Sequence, residues 1–207
     1  MKILKKPRSY SDYTLDHLED ICGISNIFQQ LGLGVRSLEP SAWLVSGLKK
    51  SNLMSFNSEK AKSEFMIAPV LMELASLNAG RFRCFSGNTL DVDKERSLRG
   101  RCDFLLTKHF SGNISAPIIA IFEAKDDNID SERWFGQCGA EMFAARIFNE
   151  DRNEPIHIIH GAVTNGNAWR FLRLDGALLT IDTDVYTTGN LAQLLGVLQY
   201  LIDFYYQ

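Results

Sequence analysis

Asp103, Glu123 and Lys125 are the residues of this chain whose types and spacing could do chemistry. Asp103 interrupts the hydrophobic run Cys102-Asp103-Phe104-Leu105-Leu106, and Glu123 and Lys125 end the run Pro117-Ile118-Ile119-Ala120-Ile121-Phe122-Glu123-Ala124-Lys125. Side chains along a strand repeat every two residues, so Glu123 and Lys125 share a face. If the run around Asp103 is the adjacent strand, a second carboxylate stands beside Glu123. Two such carboxylates, with the backbone carbonyl of Ala124 between them, offer hard oxygen ligands to a divalent cation such as magnesium, and water completes the shell. A metal-bound water attacking phosphorus needs orientation and a partner for the developing charge, and Lys125 is placed to supply one or both. Gln137, twelve residues further on, could hydrogen-bond that water or a phosphate if its helix face turns inward. Taken alone, a carboxylate-x-lysine triplet is unspecific, and an ion pair at a strand end is the competing account of the same two residues.

What must position these residues is a sheet. Strand-like segments at 82–90, 100–107 and 117–125, separated by Gly, Asn, Asp and Ser-rich connections, predict an antiparallel meander. Before it, Phe65, Met66, Ile67, Val70, Leu71, Leu74 and Leu77 form a helical stripe starting near Ser58, with a kink expected at Pro69. Glu64 and Glu73 flank that stripe nine residues apart, about 180° around a helix, so only one could face a given site. After the acidic turn containing Asp126, Asp127 and Asp130, a helix is predicted from Asp130 or Ser131 through Phe148. It carries Gln137, and its Gly136, Gly139, Ala140 and Ala144 permit close approach to the sheet. A hairpin turning at Asn165-Gly166 follows, with Trp169 and Phe171 expected in the core, then a short strand near 178–182 and a last helix capped by Asn190. The helix, three strands, helix, strand order describes an α/β fold, one mixed β-sheet flanked by helices, over residues 58–207. Residues 1–57 read as an N-terminal helical appendage. One helix there is capped by Thr14 or Asp16 and extends toward Phe28, ending at Gly32 or Gly34; a second starts after Pro40.

A chain of 207 residues, 45% of them hydrophobic, can bury a substantial core as one domain. No segment has the uninterrupted apolar length of a membrane span, and the N-terminus runs from lysines into polar residues without an apolar stretch, so a cytoplasmic protein is expected. Cys22, Cys84, Cys102 and Cys138 have no CxxC spacing, which argues against a zinc cluster or a disulfide framework and for buried thiols. The net charge of -3 lacks the basic excess usual in nucleic-acid binders, so any such role rests on local charge. Lys94, Arg96, Arg99, Arg101 and Lys108 bracket Asp103, diluted by Asp91, Asp93 and Glu95; Arg99, Arg101 and Lys108 are the candidates to face a phosphate. His157 and His160 would point to opposite faces of a strand and cannot share a metal. No GxSxG, P-loop or GxGxxG motif occurs.

The segments SEFMIAPVLMEL, FSGNTLDVD, GRCDFLL, PIIAIFEAK, FGQCGAEMFAARIFN and GAVTNGNAWRFLRL together resemble the PD-(D/E)xK nuclease superfamily, and within it uncharacterised bacterial, especially cyanobacterial, members. The resemblance covers residues 59–174 and leaves the appendage outside. It implies a restriction-endonuclease-like core and a magnesium-dependent endonuclease, with manganese as substitute cation, acting on nucleic acid, DNA above all. By the resemblance Asp103 is the motif's first aspartate, Glu123 its second acid, Lys125 its lysine and Gln137 a glutamine often found on the next helix. Glu64 matches the acid some members carry on the first helix, ahead of Glu73; Cys102 stands where the motif's proline often does. Double-strand cutting calls for two sites, so a homodimer is expected. The alternatives are a catalytically silent module of the same fold and an unrelated α/β protein whose Glu123 and Lys125 form an ion pair.

Overall fold

The apolar runs become the centre of one sheet. In a computed structural model describing residues 5–34, 36–126 and 128–207, the strands are β1 (Ser25–Phe28), β2 (Arg83–Thr89), β3 (Arg101–Thr107), β4 (Ile118–Ala124), β5 (Ile158–Thr164), β6 (Ala168–Asp175), β7 (Leu178–Ile181) and β8 (Tyr186–Thr187). Their spatial order is β1-β7-β6-β5-β4-β3-β2, with β8 on β6. Every residue of β4 is buried, as its unbroken apolar sequence demands. β2, β3 and β4 form the expected antiparallel meander. β4 and β5 run parallel, which requires a crossover, and helix α5 (Glu132–Glu150) provides it.

The remaining helices are α1 (Leu15–Cys22), α2 (Ala42–Ser51), α3 (Glu59–Lys62), α4 (Ala68–Leu77) and α6 (Leu191–Phe204). One apolar core lies on the α1 and α5 side of the sheet, around Leu105, Ile121 and Val163; the other lies on the α4 and α6 side, around Phe104, Phe122 and Trp169. Pro69 does not break its helix. A single π-helical turn, Ser63–Ile67, precedes it, and the proline occupies the first turn of α4, where its missing N–H costs least. Among the described residues no helix is long and apolar enough to cross a membrane.

The described residues among the first 57 are not laid outside this core. Tyr10, Tyr13 and Leu18 are buried in the cluster that contains Ile121, and β1 extends the sheet by pairing in parallel with β7. The first helix therefore stops at Cys22, earlier than expected, because Gly23 takes the left-handed conformation at φ 67° and returns its N–H to the helix carbonyls. Ile27 and Phe28, expected on that helix, lie in β1. Glu73, one of the two acids flanking the apolar stripe, is buried; its carboxylate accepts from the Ser41 N–H (2.7 Å) and hydroxyl (2.8 Å), tying α4 to the start of α2.

The small residues of α5 do allow close packing. A Cβ on Gly136 would lie 2.4 Å from the Thr14 backbone, whereas one on Gly47 of α2 would meet nothing within 4 Å. Gly136→Ala should therefore destabilise by about 1–3 kcal/mol or more, the usual range for overpacking. Gly47→Ala should be neutral or stabilising by up to about 1 kcal/mol. Urea unfolding of the two variants measures the contrast, and equal stabilities would contradict the packing of α5 on the Thr14 turn.

Candidate functional site

Register places the acids. Phe104 pairs with Phe122 across β3 and β4, so one step further along the same antiparallel ladder Asp103 stands opposite Glu123. The Ala124 N–H donates to Asp103 Oδ2 at 2.8 Å. A strand residue turns its N–H and C=O toward the same neighbouring strand, so the Ala124 carbonyl also faces the β3 side. Lys125 follows on the Glu123 face, and its Nζ donates to Glu123 Oε1 at 2.6 Å. Asp103 is the partly exposed member of the group; Glu123 and Lys125 are only 2% and 4% exposed.

The helix behind the sheet completes the arrangement. Gln137 does turn inward: its Nε2 donates to Glu123 Oε1 and, at 3.2 Å, to Glu141 Oε1, while its Oε1 accepts from Lys125 Nζ at 3.3 Å. The Trp134 indole lies 4.6 Å from Lys125 Nζ, and the Arg133 guanidinium also sits over that ring. Glu59, on α3, brings a carboxylate oxygen to 4.0 Å from Lys125 Nζ, and Lys62 of the same helix donates to the Asp126 carbonyl just beyond.

Four acids, Asp103, Glu123, Glu141 and, from α3, Glu59, thus gather around one ammonium. Burial first, and then the Asp103 charge, pushes the Glu123 carboxyl up to about 8 despite Lys125. Burial followed by Glu123 holds Glu141 well above the carboxylate range, and burial also raises Asp103. Burial acts to lower Lys125, but the Glu123 carboxylate, its hydrogen bond and Glu59 outweigh it, so the ammonium is held more tightly than usual. Glu123 Oε2 and Glu141 Oε2 are buried without any hydrogen-bond partner. Buried, partnerless carboxylate oxygens call for a proton or a cation. Among the described residues no three His, Cys, Asp or Glu side chains are grouped to cage a metal ion. The residues present fit a hard cation that keeps much of its water: Asp103, Glu123 and the Ala124 carbonyl supply oxygen alone, the donor type magnesium and manganese take.

The fold separates other expected site residues from this cluster. Glu64 is half exposed and pairs with Lys60 at 2.6 Å; the acid that approaches Lys125 from the first helix is Glu59. Lys108 lies beyond the far end of β3, five residues and roughly 17 Å of strand from Asp103, with its Nζ over Tyr206. Arg99 is exposed and donates to the Arg8 carbonyl. Arg101, also exposed, stays on the Asp103 face two residues away. Of the acidic turn, Asp130 pairs with Arg170 at 2.7 Å, while Asp127 lies outside the described residues. His160 is buried against the Tyr205 hydroxyl and belongs to the other core; Cys102 and Cys138 are buried thiols, Cys22 and Cys84 only partly so. Glu141 was not expected here, yet its signal is in the sequence: it stands four residues after Gln137, on the same helical face, within FGQCGAEMF.

Compared with known proteins, the chain matches no family model and no curated protein.

Proposed function

We propose that this protein is a magnesium-dependent nuclease, with a restriction-endonuclease-like core, that hydrolyses phosphodiester bonds in DNA. The observation that carries the reading is the opposition of Asp103 and Glu123 across β3 and β4, with Lys125 on the same face at 2.6 Å from Glu123. The α4, β2-β3-β4, α5, β5 order around that pair agrees with it. Asp103, Glu123 and the Ala124 carbonyl would hold the cation. When bound, that cation polarises the phosphate and lowers the pKa of a water nucleophile.

The rest falls to the chain. Lys125 is charged, nearly buried and backed by the Trp134 ring, so its ammonium meets a phosphate oxygen with little solvent to screen it. Gln137 holds Lys125 and Glu123 at fixed spacing. Arg101 flanks the Asp103 side, and Gly87 of β2, set between the pairs Ser86 with Phe104 and Asn88 with Cys102, stands across from Asp103 with no side chain to cover it. On that edge-strand side the nearest side chain to Gly87 is Arg101, the cation that would meet a backbone phosphate. A two-fold dimer would supply one such site to each strand of a duplex.

A catalytically silent module is the second reading, and the closed Glu123, Lys125 and Gln137 network favours it, since these groups already satisfy one another. Supercoiled plasmid and single-stranded DNA incubated with the protein in Mg2+, Mn2+ or EDTA decide between the two. Cutting that needs a divalent cation and is lost in Asp103→Asn is expected. Manganese binding by calorimetry without any cutting would establish the silent module instead.

A further inference from the structure

Glu141 has no role in the chemistry just described, yet it is fully buried in α5 with one carboxyl oxygen bonded to Gln137 and the other to nothing. A carboxyl group in such a place is costly unless it is well paired, and a leucine or methionine would fill the same space without that cost. What Glu141 does hold is one amide, that of Gln137, with the Glu123 carboxyl as its near neighbour. A glutamine side chain has two N–H donors and one carbonyl acceptor. Gln137 commits all three: one N–H to Glu123, the other to Glu141 and the carbonyl to Lys125.

Two of those three partners are the groups that change their contacts during the proposed reaction. Glu123 would offer an oxygen to a bound cation and Lys125 its ammonium to a phosphate, and each would then hold Gln137 less firmly. Glu141 sits one helical turn further along α5 from Gln137 and is 0% exposed, so of the three partners it is the one shielded from solvent and substrate. We infer that Glu141 is a positioning residue: its Oε1 anchors the Gln137 amide, which goes on presenting an N–H to Glu123 and a carbonyl to Lys125 while those two engage cation and substrate. The inference rests on the nuclease reading for its consequence in turnover, but the anchoring itself does not.

Glu141→Gln keeps an acceptor oxygen at this position, and Glu141→Leu removes it while retaining an apolar group of similar size. Glu141→Gln should keep kcat within about 3-fold of wild type. Glu141→Leu should lose about 10- to 100-fold in kcat, the usual effect of removing an outer-shell partner, with KM for DNA changed by less than about 2-fold. A readout independent of cutting is the Gln137 side-chain amide in a 15N NMR spectrum, identified by its absence in Gln137→Met. Its two protons should exchange with solvent at least about 10-fold faster in Glu141→Leu than in wild type, with the backbone amides of α5 unchanged. Wild-type exchange of that amide in Glu141→Leu overturns the proposal, and so does a Glu141→Gln protein as impaired as Glu141→Leu. If the wild type cuts no nucleic acid, the nuclease reading fails and the amide exchange alone decides the anchoring.

Discussion

Lys125→Ala should hydrolyse DNA about 100- to 1000-fold more slowly than wild type at saturating Mg2+, while binding Mn2+ at least as tightly. The rate expectation follows from where the ammonium sits. Lys125 is 4% exposed, 2.6 Å from Glu123 and covered by Trp134, so its charge acts through protein and not through water. Removing one preorganised donor from such a site carries a loss of this size. The affinity expectation has the opposite sign, because the same ammonium repels a cation placed between Asp103 and Glu123. Asp103→Asn should instead lose both cutting and Mn2+ affinity, since it removes a ligand charge and leaves Lys125 in place. Initial rates on plasmid and calorimetric titration at one pH separate the two variants. Equal cutting by Lys125→Ala and wild type would trace the activity to a contaminant and end the enzyme reading.

The central elements were legible because their sequence signals are local and agree with one another. The three strand-like runs at 82–90, 100–107 and 117–125 became β2, β3 and β4 with no end moved by more than one residue, because Gly, Pro and polar connections bound each apolar run. The Asn165-Gly166 turn and the buried Trp169 and Phe171 followed the same logic. The N-terminal segment misled because β1 is four residues long, mostly exposed, and paired with β7 some 150 residues away. Nothing in Ser25-Asn26-Ile27-Phe28 alternates strongly enough to declare a strand, and a long-range partner fixes its state. Gly23 was the local clue that outranked Gly32 and Gly34, since it ends the apolar period of α1.

Within the site, strand period alone put Glu123 and Lys125 together, and the alternation of β3 put Asp103 on the face that meets them. The inward turn of Gln137 needed the angle of α5 across the sheet, which Gly136 and Gly139 permit but do not specify. The first-helix acid depends on how the chain passes the π-helical turn before Pro69: that turn adds a residue per cycle and rotates Glu64 relative to Glu59. A regular helix could not have revealed that. Lys108 and Arg101 both bracket Asp103 closely in sequence, yet strand rise sends Lys108, five residues on, beyond the far end of β3 and leaves Arg101, two residues back, beside the acids.

Between pH 6.5 and about 8 the cation-free protein should become less stable as the pH rises, by about 1.4 kcal/mol per pH unit for each proton the folded state retains. Glu123 ionises near 4.5 in an unfolded chain and near 8 here, because burial and the Asp103 charge oppose its anion. Through that window the folded protein keeps a proton that the unfolded chain has released. Its stabilising effect is complete below 4.5 and is lost as the pH climbs toward 8. Glu141, also held well above the carboxylate range by burial, acts in the same direction. His160 acts in the other, since burial lowers it from 6.5 to about 3; its stability is present above 6.5 and lost on acidification. From pH 6.5 upward the histidine opposes the carboxylates by less than about 0.5 kcal/mol in all and fades near pH 7.5, so the carboxylates set the sign of the slope. Excess Mn2+ binds only the ionised site, so it should stabilise most near pH 8 and flatten or reverse the slope. Urea unfolding at pH 6.5, 7.2 and 8.0, in EDTA and in Mn2+, with Glu123→Gln as the variant whose slope should be shallower, tests each step. A cation-free stability that holds constant or rises across those three pH values would mean that Glu123 and Glu141 are already ionised when folded, and the acids would then have no unmet demand for a cation.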